Sequence, residues 1–189
     1  MANDERGVVL VEGASDKVAV ETLAERRGRD LRAEGISVVP IGGAQAIGRF
    51  LGRFGPQGLD VKLAGLVDAG EELDFVRGLE RAGLGSQLTR ADLERLGFYV
   101  CVADLEDELI RALGAASVEA IVAGQGDLRS FRTLQKQAAW RGRPVNEQLR
   151  RFMGSGGRRK IRYARLLVEA LEPAQVPRPL DGVLAHVAA

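Results

Sequence analysis

The amino-acid sequence predicts an α/β fold, a mainly parallel four-stranded sheet flanked by helices, with a C-terminal helical appendage. Three observations carry this. Short apolar runs rich in β-branched residues, such as Gly7-Val8-Val9-Leu10-Val11, are continuous rather than alternating, as strands covered on both faces require. Each run is followed by a turn and then by a segment whose apolar residues recur at helical spacing, the rhythm of parallel strands joined by helical crossovers. After Gly114 the strand-like runs cease while the helical spacing continues.

The elements follow in order. Gly7 to Val11 is the first strand and ends at Glu12-Gly13. Ala14 to Arg27 is a helix carrying Val18, Val20, Leu23 and Ala24, with Ser15 or Asp16 able to cap its start. Ile36 to Ile41 is the second strand, Gly42-Gly43 a turn, and Ala44 to Phe54 a helix. Val61 to Val67, interrupted by Lys62 and Gly65, is the third strand, with a helix from Glu71 to Ala82 behind it. Gly97 to Val102 is the fourth strand, followed by Ala103-Asp104 and a helix to about Leu113. Beyond it, helices are expected around Val118 to Val122, Ser130 to Trp140, Val145 to Met153 and Arg159 to Leu171. Val176-Pro177-Arg178-Pro179-Leu180 is expected as an extended tail. Residues 1–115 are thus expected to form one α/β domain and residues 116–189 a basic helical extension packed on it.

A chain of 189 residues, 46% hydrophobic and 28% charged, suits one ordinary domain with a small appendage. No apolar run approaches the roughly 20 residues that cross a bilayer. The acidic start Met1-Ala2-Asn3-Asp4-Glu5-Arg6 does not resemble a signal peptide, so a soluble cytoplasmic protein is expected, with no membrane partner. The lone Cys101 excludes an intrachain disulfide and a multi-cysteine zinc site, and it lies within a strand as a core residue. His186 falls in the terminal tail and is expected to be solvated.

The net charge of +1 conceals an asymmetry. Residues 1–127 hold 14 Lys/Arg against 22 Asp/Glu, whereas residues 128–165 hold 12 Lys/Arg against the single acid Glu147. An acidic body joined to a basic segment suits a polyanion held beside a cation-dependent centre; a solvated basic helical face is the alternative.

In an open parallel sheet, ligands bind beyond the carboxyl ends of the strands. Three of the four strand ends here carry carboxylates: Glu12 with Asp16; Asp68 with Glu71 and Glu72; and Asp104 with Glu106, Asp107 and Glu108. Lys17 is the one basic neighbour in sequence. Gathered carboxylates repel unless a hard cation neutralises them, so the group predicts Mg²⁺ or Mn²⁺ held by oxygen alone. Local roles compete with this. Asp16 also suits the positive end of its helix, and Asp104, with Glu106 and Asp107 after it, suits an N-cap. Glu12 and Asp68 close apolar strands beside small residues and have no such local explanation.

These residues carry a resemblance. Leu10-Val11-Glu12-Gly13 before a helix, and Leu66-Val67-Asp68-Ala69-Gly70 after an intervening strand and helix, resemble a Toprim domain, the Rossmann-like module of topoisomerases, bacterial primases and OLD-family (overcoming lysogenization defect) nucleases. Val11-Glu12-Gly13-Ala14-Ser15-Asp16-Lys17, Val39-Pro40-Ile41-Gly42-Gly43, Leu105-Glu106-Asp107-Glu108-Leu109 and Arg159-Lys160-Ile161 are most similar to the OLD branch. The resemblance implies a metal-dependent endonuclease acting on phosphodiester bonds, DNA being favoured. Glu12, Asp16, Asp68 and the acids from Asp104 to Glu106 would hold the metal, and Lys160 would stabilise charge at the scissile phosphate. Two departures stand out. Gly70 occupies the second acidic position of the usual Asp-x-Asp, where Glu71 or Glu72 is the nearest substitute. The ATPase domain that usually precedes Toprim in this family has no room in the six residues ahead of the first strand, so a free-standing domain, or one working with an ATPase on another chain, is expected; a homodimer also fits. The alternative is a Toprim module with a weakened metal site that binds nucleic acid or an ATPase.

Phosphate contacts would come from Arg129, Arg132, Arg141, Arg158, Arg159 and Lys160. Gly154-Ser155-Gly156-Gly157 opens the last of these helices, and its N–H groups suit an anion. Its spacing is not that of a Walker A loop. Trp140, between Lys136 and Arg141, is read as packing the helical appendage, with base stacking as the alternative.

Overall fold

In the computed structural model, which describes residues 5–188, the four apolar runs become parallel strands β1 (Gly7–Val11), β2 (Ile36–Pro40), β3 (Lys62–Val67) and β4 (Phe98–Val100). They lie in the order β2-β1-β3-β4, so the two most apolar runs are central. Gly7 stands opposite both Ile36 and Lys62, and Gly65 stands opposite Phe98. Every residue of β1 is buried, as its lack of polar alternation requires.

Successive side chains leave the sheet on opposite faces. Val8, Leu10, Leu63 and Val67 join one apolar cluster with α2 (Ile47–Phe54), α3 (Glu72–Arg81) and α4 (Arg90–Arg95). Val9, Val11, Ala64 and Leu66 join the other, with α1 (Ala14–Arg26), α5 (Leu105–Leu113), α6 (Ala115–Gly124), α7 (Leu128–Lys136), α8 (Val145–Met153), α9 (Gly157–Ala170) and α10 (Arg178–Ala188). The basic half of the chain therefore shares a continuous core with the sheet. Helix α9 lies along α1, and the guanidinium of Arg26 near the end of α1 donates to the Val168 carbonyl at 2.7 Å. Lys160 near the start of α9 interacts with Asp16 near the start of α1. The two helices thus run in the same direction and point their N-termini at the carboxyl ends of the strands.

The structure corrects several local expectations. Helix α4 was not anticipated; Thr89 caps it reciprocally with Asp92, whose carboxylate accepts from the Thr89 N–H at 2.8 Å. Strand β4 is shorter than predicted, leaving Cys101 buried just past its end. Trp140 lies in a turn beyond α7 rather than inside a helix. Residues 178–180 open α10 instead of forming an extended tail: Pro179 sits in the first turn, where its missing N–H has no intrahelical partner to lose. His186 is accordingly half-buried on α10 rather than solvated, and burial, followed by the nearby Lys62 charge, lowers its pKa. Its ring explains Gly97, where φ is +89° and an added Cβ would lie 2.5 Å from the imidazole. Gly65 admits the Phe98 ring, which a Cβ there would meet at 2.4 Å. Among the described residues no helix is long and apolar enough to cross a membrane.

Candidate active site

Because β1 and β3 are adjacent and parallel, the residues that follow them emerge together. Glu12 and Asp68 share a hydrogen bond, and the Asp68 carboxyl is pushed up to about 8. Burial is the main cause, followed by the bond to Glu12 and the charges of Asp16, Glu12 and Asp104. Asp68 therefore keeps its proton near neutrality. Gly13, not Ser15 or Asp16, is the N-cap of α1, and Asp16 lies in the first turn. Its Oδ2 accepts the Gly13 N–H at 2.8 Å, closing the first turn of α1. It is also buried among the acids, and burial raises its pKa against the opposing effects of that N–H and of Lys160.

The two acids after Asp68 part company. Glu71 is raised by burial and then by the charge of Glu12, and its Oε2 is buried with no hydrogen-bond partner. Glu72 turns away: Arg90 clasps its two oxygens at 2.8 and 2.7 Å on the outer surface, which removes it from the candidate ligands. An added Cβ at Gly70 would meet nothing within 4 Å, so the missing second acid has left open space.

At the β4 end, Asp104 is the N-cap of α5, accepting the Asp107 N–H at 2.8 Å. Its other oxygen accepts from Arg150 Nε at 2.6 Å. Glu106 is 5% exposed, and its carboxyl is pushed up to about 7 by burial, with Lys160 opposing and Asp104 and Asp16 adding. Lys160 Nζ stands 3.4 Å from Glu106 Oε1. Burial works against the lysine's charge, but Glu106, Asp16 and Asp68 outweigh it and raise its pKa. The expectation of acids without basic neighbours is corrected here: α8 and α9 bring Arg150 and Lys160 over the strand ends. Asp107 and Glu108 serve the local fold, both pairing with Arg111, and Glu108 also accepts the Val102 N–H at 2.7 Å. Burial pushes the Cys101 thiol up, so it is no nucleophile.

The predicted phosphate-binding residues divide. Arg129 and Arg158 are exposed and have no acidic partner among the described residues. Arg132 is tied to Glu119 at 2.6 Å, Arg141 reaches the Lys136 carbonyl, and Arg159 lies over the Phe152 ring and bonds Ser155. Lys160 is the member of this set that reaches the acidic group. Beside it opens a cleft of about 310 Å³, lined by Glu106, Trp140, Glu147, Arg150, Arg151 and Lys160 among others. Sequence reading missed Arg150 and Arg151. Their doublet near the end of α8 was legible, but only the packing of α8 on α5 places it at the site.

The donor set suits a hard divalent cation: all oxygen, partly buried, mutually repelling, with one orphaned carboxylate oxygen on Glu71. Among the described residues no three acidic, histidine or cysteine side chains already converge as a chelate, so ligands would close around an arriving ion.

This strand order and strand-end acidic group define a Toprim-type α/β domain. More particularly, residues 5–69 match the family described as overcoming lysogenization defect protein-like, TOPRIM domain. The fold is that of the C-terminal region of the Burkholderia pseudomallei OLD protein, with a TM-score of 0.74 and 20% identity over 97% of both chains. The C-terminal region of the Xanthomonas campestris pv. campestris OLD protein matches with a TM-score of 0.76 and 23% identity over 97% of this chain and 92% of that one. No curated protein matches in sequence.

Proposed function

We propose that the protein is a divalent-metal-dependent nuclease of the OLD-like Toprim type that cleaves or nicks DNA in the cytoplasm. The observation that carries this reading is the convergence of Glu12 and Asp68 with Asp16, Glu71 and Glu106 beyond the strand ends, with Lys160 inside the same group. Glu12, Asp68 and Glu71 are the oxygens that would hold Mg²⁺ or Mn²⁺, with Asp16 and Glu106 completing the site. Such an ion activates water and neutralises the oxygen that leaves phosphorus. The chain's own groups supply the rest. Lys160 offers a positive charge to the non-bridging oxygens of a phosphodiester and gives up Glu106 in doing so. Arg150 does the same from Asp104. Arg129 and Arg158 hold the flanking backbone, which gives salt-sensitive affinity without sequence selection.

A second reading, a binding module with a weakened metal site, is favoured by Gly70 and by the lack of a ready-made chelate. Supercoiled plasmid incubated with the protein in Mg²⁺, Mn²⁺ or EDTA separates the two. Nicking that requires metal and vanishes in folded Glu12→Ala and Asp68→Ala variants supports the nuclease. Salt-sensitive binding without nicking, unchanged in both variants, refutes it in favour of the module.

A further inference from the structure

The cleft beside Lys160 is built unevenly. Glu106, Lys160, Arg150 and Trp140 all line it. The backbone at Trp140 is held in place. The Trp140 carbonyl accepts from Gln148 Nε2 at 2.8 Å, and Gln148 is itself 6% exposed and donated to by Gln135 at 2.7 Å. Trp140 N–H also closes a turn onto the Gln137 carbonyl at 2.9 Å. Two cations attend the ring, Arg143 at 5.1 Å from its centroid and Arg151 at 6.0 Å. Arg143 is engaged by the Ala139 carbonyl and Glu147, whereas Arg151 is exposed and has no hydrogen-bonded or acidic partner among the described residues. An indole carried on fixed backbone and lining a cleft, beside an arginine with no hydrogen-bonded or acidic partner among the described residues, offers a stacking platform. The cleft, of about 310 Å³, brings cations for a phosphate and an aromatic ring for a base into one lining.

We infer that this cleft takes one unpaired nucleotide of a DNA strand, its base on Trp140 and its phosphate between Arg150 and Lys160, so that the protein selects single-stranded or frayed DNA. The inference rests on the nuclease reading for its purpose but not for its test. A paired base cannot present its face to an indole, so stacking here discriminates against continuous duplex. Arg151 leaves the ring for the neighbouring phosphate as the base arrives.

Trp140 is the only tryptophan in the sequence, so its emission reports on the cleft alone. The full chain is titrated in EDTA, where cleavage is blocked, with a labelled oligothymidylate, an abasic oligomer of equal length, and a blunt duplex. Binding is read from label anisotropy and stacking from Trp140 emission. Oligothymidylate is expected to quench the emission, the abasic oligomer to bind without quenching, and the duplex to do neither beyond non-specific binding. Trp140→Ala is expected to weaken oligothymidylate binding about tenfold while leaving the abasic oligomer unchanged, with Trp140→Phe keeping most of the affinity. If Trp140→Ala does not fold, the Phe variant and the quenching comparison decide alone. Equal quenching by duplex and single strand, or oligothymidylate binding indifferent to both substitutions, overturns the inference and leaves Trp140 a packing residue. Quenching in a protein that nicks no plasmid would mean that the nuclease reading fails while the cleft stands. Metal-dependent nicking without quenching means the reverse.

Discussion

Asp68→Asn should stabilise the metal-free protein, and increasingly so as pH rises. In the unfolded chain Asp68 loses its proton around its ordinary value of 3.8, whereas in the fold it keeps it to about 8. Between those values the folded state binds more protons than the unfolded one, so stability falls with rising pH. The contribution is complete below pH 3.8 and lost by the time Asp68 ionises near pH 8. Taken whole, the difference is an upper bound of about 6 kcal/mol, at about 1.4 kcal/mol for each tenfold change in proton affinity. Asp68 is only partly buried, and solvent screening with small movements of Glu12 and Asp16 reduces this to about 2–3 kcal/mol. Asn has the same shape, donates to Glu12 as the protonated acid does, and cannot ionise. For a domain of this size that corresponds to a melting temperature about 5–10 °C above wild type at pH 8 in EDTA, shrinking toward zero at pH 4. Glu106, pushed up to about 7, adds its own fall to both proteins, so the comparison at each pH isolates position 68. Equal or lower melting temperatures for Asp68→Asn across the whole range would refute the account of a protonated Asp68.

Three further perturbations probe the same architecture. Lys160→Met removes the cation that holds Glu106 down, so Glu106 should titrate above its present value of about 7 by NMR. Plasmid nicking should fall by about two orders of magnitude in the same variant, while plasmid binding at low salt changes little. Glu71→Gln should weaken Mn²⁺ binding about tenfold by calorimetry. Glu72→Gln should leave binding unchanged, and Gly70→Asp added to Glu71→Gln should restore it, since position 70 has the room. Gly97→Ala forces a positive φ on a side chain that also meets the His186 ring, and a loss of about 2–4 kcal/mol is expected in urea unfolding.

What could be read from the sequence, and what could not, follows from the range of the forces involved. Continuous apolar runs identify strands buried on both faces, so β1 and β3 and the residues that close them, Glu12 and Asp68, were legible from local pattern alone. The N-cap role of Asp104 was legible for the same reason. Helix α10 was hidden because two prolines read as an extended tail, yet one precedes the helix and the other lies in its first turn, where proline is harmless. Glu71 and Glu72 are adjacent and chemically alike, and only tertiary contacts separate them: Arg90, on an unanticipated helix, takes one and leaves the other facing Glu12. Arg150 and Lys160 approach Asp104 and Glu106 from 46 and 54 residues away in sequence, a distance that no spacing rule spans.

Those two long-range pairs bear on how the site stays folded and ready. Buried carboxylates this close cost free energy, and the fold offsets it in two ways, by the proton that Asp68 keeps beside Glu12 and by cations on Asp104 and Glu106. On the nuclease reading proposed above, both would be exchangeable: a divalent ion would compete with the proton on Asp68, and a phosphate would compete with the acids for Arg150 and Lys160. An ion held by Glu12 and Asp68 would lower the local negative charge and loosen the hold of the acids on Lys160, and a phosphate on Lys160 would free Glu106 for the ion. Metal and DNA would then bind cooperatively, because the two basic side chains that are counter-ions to Asp104 and Glu106 in this fold would become phosphate ligands.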